Sequence, residues 1–262
     1  MARLAARVRM PLLFLVLLVL VGQMVLDYDV PWWVSIPALI GAMALYAFAG
    51  RVCAEPVLVE PPVRGPWRAA NSPASRVPSH GLHAYGQTYA IDLVFDPPGV
   101  ERPASSWRRP AHRATEFPGL GRPLFAAAPG RVVRMSQWQR DHWSRASVPG
   151  LLYLLVEGMI RELSGAGRVI GNHIVIDQGD GRYALYGHLQ RHSAMVRPGD
   201  QVVAGQQLAR CGNSGNSTEP HLHFQVMDHP RPAFAAGLPF EFAEGVPPNG
   251  TLLASSSSLQ SL

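Results

Sequence analysis

Apolar positions fall into two regimes along this chain. Before residue 51 they are nearly continuous, with runs at Pro11–Leu26 and Pro31–Gly50 separated by Asp27-Tyr28-Asp29. Runs approaching the ~20 residues that cross a hydrocarbon core predict a transmembrane helical hairpin, with helices at about 11–26 and 31–50. Trp32 and Trp33 suit the membrane interface. A cleaved signal peptide is the alternative for the first run, but it leaves the second run unexplained. Arg3, Arg7, Arg9 and Arg51 flank the outer ends of the hairpin, and the loop carries only aspartates. By the positive-inside tendency, that pattern places both ends in the cytoplasm.

Beyond the hairpin the pattern changes. Residues 53–78 are rich in Pro, Ala and Arg without a period, and read as a linker. From residue 79 onward short apolar segments alternate with turn residues. Tyr89–Phe95 reads as a strand, and Pro123–Met135 as two strands around Pro129-Gly130. Asn172–Gln178 and Arg182–His188 form a hairpin around Gly179-Asp180-Gly181. Gln201–Val203, Gln207–Cys211 and the segment from His221 follow as strands. This pattern predicts an all-β, antiparallel, sandwich-like domain over 79–243. Within it, Leu151, Leu152, Leu155, Met159, Ile160 and Leu163 recur near the helix period, so 137–165 reads as a helical insertion. It is expected near a groove or the membrane. Asp96–Leu120 reads as loop and includes Trp107-Arg108-Arg109-Pro110; 244–262, ending in a serine run, reads as a disordered tail.

Composition adds little. Charged residues make up 16% of the chain, below a typical ~25%, because the first fifty residues are apolar. The net charge of +5 is carried by arginine. It suits a membrane surface or a polyanionic envelope. No basic and aromatic stripe indicates a nucleic-acid partner. Cys53 and Cys211 form no CxxC, which excludes a cysteine zinc site and argues against a structural disulfide. Cys211 reads as a small core residue.

The candidate chemistry begins at His221-Leu222-His223. On a strand, alternate residues share a face, so both imidazoles project to one side, an arrangement that suits a metal site. A surface pair is the plain alternative. A catalytic zinc takes about three protein ligands and keeps one position open, so further donors must come from distant segments. Asp92 sits between Ala90-Ile91 and Leu93-Val94, where an unpaired charge is costly to bury. His188 ends a hairpin strand in Leu185-Tyr186-Gly187-His188-Leu189. His173, His112, His142, His192 and His229 are expected at the surface. The glycines of Gly212–Gly215 permit a turn rather than cradle a phosphate, since no Lys-Ser/Thr or helix follows.

Taken in order, Gly171-Asn172-His173-Ile174-Val175-Ile176-Asp177, Tyr186-Gly187-His188-Leu189, Val196-Arg197-Pro198-Gly199-Asp200-Gln201-Val202, Gly205-Gln206 and Gly212–Val226 form a specific series. It resembles the LytM/lysostaphin-like zinc metallopeptidases, a peptidoglycan endopeptidase family with a duplicated-hybrid-motif β domain. The resemblance covers roughly 79 to 242. It implies zinc as the cofactor, with His223 and Asp92 as ligands. His221 becomes the catalytic histidine beside the water, and His188 helps bind the water and the developing oxyanion. The family places its remaining histidine four residues before the aspartate, where this chain has Thr88. His83 is the favoured substitute because it is nearer, with His80 as competitor. The implied activity is a membrane-integral zinc endopeptidase acting on amide bonds of peptidoglycan peptides. Its domain would lie on the extracytoplasmic side, against the arginine pattern. The alternatives are a non-catalytic relative that activates another wall hydrolase, and a peptidase with a non-wall substrate.

Overall fold

The computed structural model describes the chain except for residues 27, 104–108, 110, 145–147 and 254–262. Trp107, Arg108 and Pro110 of the long loop, and the terminal serine run, therefore lie outside the described residues. The elements in order are α1 (Ala2–Val25), α2 (Trp32–Phe48), β1 (Val57–Leu58), β2 (Trp67–Ala70), β3 (Ile91–Phe95), β4 (Pro123–Phe125) and β5 (Gly130–Ser136). Then come α3 (Val148–Leu163), α4 (Ala166–Ile170), β6 (His173–Asp177), β7 (Tyr183–Gly187), β8 (Gln201–Val202), β9 (Gln207–Arg210), β10 (Leu222–Met227), β11 (Gly237–Leu238) and β12 (Phe240–Glu241).

Among the described residues the main sheet runs β2-β3-β10-β7-β6-β5-β8, with β11 added to β10. Its pairings are antiparallel. The domain is thus antiparallel and β-rich, with helices added to it. Strand alternation sorts the side chains. Leu222, Phe224 and Val226 of β10 join Ile91, Leu93, Ile174, Ile176 and Tyr186 in the main core. That face is closed by the small pairs β4–β9 and β1–β12. His223, Gln225 and Met227 point the other way. On that second face Met227 packs with Ile170 of α4 and with Ala235.

Both α1 and α2 rise from this second face. Arg7 Nη1 lies 3.1 Å from Asp228 Oδ1 and also donates to the Phe234 carbonyl. Arg9 is fully buried and donates to the carbonyls of Ala49, His83 and Ala235 at 3.0, 2.7 and 2.7 Å. Met10 packs with Ala84 and Tyr85. By length and composition α1 can cross a membrane, whereas α2 has 17 residues and falls short of that test. The first helix begins at Ala2, well before the expected start near residue 11.

Three boundaries differ from the sequence expectation. The segment read as a linker supplies β2, an edge strand paired with β3. Its Trp67 and Ala69, and Val59 and Val63 before it, are core residues. Four residues between prolines and glycines are too few to show a period. The expected tail is bound as far as Leu253, whose N–H donates to Trp67 O at 2.7 Å, while Ala69 N–H donates to Thr251 O at 2.9 Å. The outer edge of β2 offers free backbone groups that this segment satisfies. Finally, among the described residues of 137–165 the helix is α3.

Candidate metal centre and cleft

The site forms where β3, β10 and the end of β7 meet. The register sets His223 opposite Asp92 on one side and Gly187 on the other. Asp92 is its hub. Its Oδ1 lies 2.9 Å from His223 Nδ1 and 3.6 Å from His221 Nε2. Its Oδ2 lies 3.1 Å from His80 Nε2 and accepts from Asn71 Nδ2 at 2.8 Å. One donor atom from each of His80, Asp92 and His223 lies within 4.8 Å of the others.

The hydrogen bonds around His223 test whether this set fits a metal. Gln225 Nε2 donates to the Tyr85 carbonyl at 2.8 Å, which turns Gln225 Oε1 toward His223 Nε2 at 2.9 Å. The His223 Nε2–H is thereby committed as a donor. In a neutral ring, Nδ1 is then a lone pair facing a carboxylate oxygen at 2.9 Å. Two acceptors at that distance need a proton or a cation between them. The His–Asp–His donor set, oriented by outer hydrogen bonds, fits an ion that takes nitrogen and oxygen ligands, as zinc does.

Electrostatics follow the same lines. Burial would raise the Asp92 carboxyl, but His80 and His221, with hydrogen bonds from His223 and His80, hold it well below the usual carboxylate range. Burial lowers the His80 imidazole against the pull of Asp92. Burial also opposes charge on His223, but its hydrogen bond to Asp92 and that group's charge outweigh this and raise it.

His221 and His188 face the same space. His221 Nδ1 donates to the Glu219 carbonyl at 2.8 Å, leaving Nε2 as a lone pair toward the cleft. His188 Nδ1 donates to the Ser214 carbonyl at 2.8 Å, and its ring centroid is 4.7 Å from that of His221. Burial, then the nearby His221 and His223, push the His188 imidazole well below its ordinary value, so it is neutral at pH 7. His188 also adopts φ 56°, a left-handed conformation that costs a non-glycine residue about 1–3 kcal/mol. The supporting loop is held by a close backbone approach. A Cβ on Gly215 would sit 2.4 Å from Gly171 N, so only glycine fits there.

The structure brings together Asp92, His188, His221, His223 and His80. His83 is elsewhere: its Nδ1 meets Thr88 Oγ1 at 2.9 Å and its carbonyl accepts from Arg9. The favoured candidate His83 therefore lies outside the cluster that could hold a metal, and its competitor His80 lies in it. The surface expectation fails for three histidines. His173 is buried with Nδ1 donating to Gly171 O, His142 is buried with Nε2 on Gly215 O, and His112 is buried beside Phe117. His192 is exposed and His229 half-buried.

Sequence reasoning missed Asn71, Tyr85, Glu162, Asn216 and Gln225. Only Gln225 left a usable signal, since alternation puts it on the face of His221 and His223. The cleft, about 330 Å³, is lined beyond the histidines by Tyr46, Leu82, Tyr85, Glu162, Val169 and Asn216. Glu162 comes from α3 and accepts from Tyr85 Oη at 2.8 Å, and burial pushes its carboxyl up to about 7. The helical insertion thus borders the groove, on the side of His221.

Peptidase family M23 matches residues 154–234, which include His188, His221 and His223; His80 and Asp92 precede the match. The peptidoglycan DD-endopeptidase ShyA of Vibrio cholerae is 35% identical over 77 residues, 29% of this chain and 17% of ShyA. The murein hydrolase activator EnvC of Escherichia coli is 42% identical over 117 residues, 41% of this chain and 27% of EnvC. Lysostaphin of Staphylococcus simulans is 45% identical over 58 residues, 22% of this chain and 11% of lysostaphin. The chain therefore spans between 11% and 27% of the length of these relatives. The solved catalytic domain of that lysostaphin aligns with a TM-score of 0.34 and 23% identity, covering 60% of this chain and 76% of that domain. Residues 154–234, which hold His188 and the His221–His223 strand, thus match Peptidase family M23, and the chain is similar in part to ShyA and to lysostaphin.

Proposed function

We propose that this protein is a membrane-anchored zinc endopeptidase that hydrolyses amide bonds in peptidoglycan peptides, with its domain outside the cytoplasm. The observation that carries the reading is the convergence of His80, Asp92 and His223 on one point, with His188 and His221 beside it. His80, Asp92 and His223 would hold the ion, and bound zinc supplies Lewis-acid polarisation of the scissile carbonyl and the attacking water. His221 Nε2 is the free base: it takes the water's proton and returns it to the leaving amine. The Glu219 carbonyl fixes its tautomer. His188, neutral with Nδ1–H engaged, offers only a lone pair and so orients the water by accepting a hydrogen bond.

Zinc stoichiometry and cleavage of wall peptides by the full chain in detergent test this reading. One zinc per chain, with both zinc and cleavage lost in His223→Ala, is expected. Cleavage undiminished in that variant defeats it. The similarity to EnvC supports a second reading, activation of another wall hydrolase; stimulation that survives His221→Ala and His223→Ala alike would favour it. Topology reporters fused after Arg51 and after Leu262 test the side of the membrane.

A further inference from the structure

Helix α3 turns an apolar arc to the outside. Its described apolar side chains, Tyr153, Val156, Met159, Ile160 and Leu163, are 54–68% exposed. At 100° per residue they share an arc of about 120°. The other side of the helix faces the protein. There Glu157 pairs with Arg161 at 2.9 Å, Gly158 faces the Asn216 amide, and Glu162 accepts from Tyr85 in the cleft. A helix on a soluble domain turns its apolar stripe inward. On this one the described apolar arc is turned outward, away from Glu157, Arg161 and Glu162, and so large an exposed apolar surface calls for an apolar cover.

The surroundings indicate which cover. Tyr85 contacts Glu162 of α3 on one side, and on the other its ring lies 6.2 Å from that of Tyr46 in α2. The base of α1 packs on the same residue through Met10. All these helices lie over the His223–Gln225–Met227 face of the sheet. There α1 presents a long apolar surface, with Leu15, Leu18 and Val21 each more than half exposed. Trp143, 58% exposed shortly before α3, and Arg168, exposed shortly after it, suit a headgroup layer.

We propose that α3 lies in the interfacial layer of the same lipid bilayer that holds α1, so that the metal cleft opens at the membrane surface. This rests on α1 being membrane-embedded, as read above. It restricts the substrate to peptides that can approach the bilayer, and it makes α3 a second attachment that sets the cleft's orientation.

The test uses the full chain with the exposed Cys53 replaced by serine and Cys211 left buried. Single cysteines at Ile160→Cys, Leu18→Cys or Val203→Cys carry an environment-sensitive fluorophore. Val203 is 65% exposed beside β8, which lies four strand positions from β10, about 19 Å at ordinary strand spacing. The protein is reconstituted sparsely in phosphatidylcholine–phosphatidylglycerol vesicles, with or without lipids carrying a quencher in the upper acyl chain. The probe at 160 is expected to lose about half its fluorescence, as for a group ~5–10 Å into the interface. The probe at 18 is quenched also, and the probe at 203 is not. Quenching at 18 without quenching at 160 overturns the inference and leaves the anchor intact. No quenching at 18 removes the anchor itself. A probe at 160 that is shielded from water but not quenched by lipid, and that becomes exposed on dilution, identifies a second copy as the cover and also overturns the inference.

Discussion

Replacing His80 with alanine decides which upstream histidine completes the centre. His80 Nε2 lies 3.1 Å from Asp92 Oδ2, and its ring centroid is 4.9 Å from that of His223. His83 instead spends its ring on Thr88. Four-ligand structural zinc sites bind with ~10–16 kcal/mol, or about 3 kcal/mol per ligand if shared equally. Loss of one ligand then weakens zinc by about 100-fold. His83→Ala removes no ligand but strands the buried Thr88 hydroxyl, at a cost of about 1–3 kcal/mol in stability. Competition against a chromogenic chelator near neutral pH reads affinity for both variants, and thermal unfolding reads stability. His80→Ala should shift the competition curve and His83→Ala only the melting temperature. A His83→Ala protein that loses zinc affinity about 100-fold, beside an unaffected His80→Ala, would refute the assignment.

Three further outcomes follow from the geometry. His221→Ala should retain one zinc while cleavage falls by about 10²–10⁴-fold, and parallel loss of zinc would show it to be a ligand instead. Gln225→Leu releases the His223 tautomer and should weaken zinc by about 10–100-fold in the same competition assay; unchanged affinity counts against the tautomer argument. Glu162 has a carboxyl raised from 4.5 to about 7, so the folded state holds a proton that the unfolded state has released in that window. Its stability contribution is present below the unfolded value and fades as pH rises through the folded one. Partial exposure keeps it small. The difference in melting temperature between the parent and Glu162→Gln should therefore change with pH across that window, and a constant difference would contradict it.

Alternation made the strands and the shared face of His221 and His223 legible, the motif order tied His188 to them, and the family resemblance added Asp92. The choice between His80 and His83 was not legible. Nearness along the chain is a poor guide where the path turns through Ala84–Gly86 and Tyr85 takes φ 58°. That turn sends His83 back toward Arg9 and leaves His80 on Asp92. His173 and His142 looked like surface residues because their polar neighbours hid a local fact: each ring is satisfied by a backbone carbonyl, which lets it be buried. For α3 the helix period was legible but its direction was not. Periodicity finds an apolar stripe without saying whether protein or something else covers it. Leu151, Leu152 and Leu155 lie in the helix, with side chains outside the description.

The arginines bear on the conflict over membrane side. The positive-inside tendency counts Arg3, Arg7 and Arg9 as if they served only orientation. Here Arg3 and Arg7 both reach Asp228, and Arg9 is buried with three carbonyl acceptors. A guanidinium has five donors and stays charged, so it suits the joining of a helix base to exposed carbonyls and a carboxylate on either side of a membrane. Packing accounts for Arg7 and Arg9, whose weight as topological signals falls accordingly, while Arg3 is 63% exposed with its Nε 3.6 Å from Asp228. Arg3 and the exposed Arg51 are then the remaining flanking charges that oppose the proposed extracytoplasmic domain. The same contacts join the base of α1 to the face of the domain that bears the cleft, so if α1 lies in a membrane as proposed, they set the cleft's orientation toward it on either side.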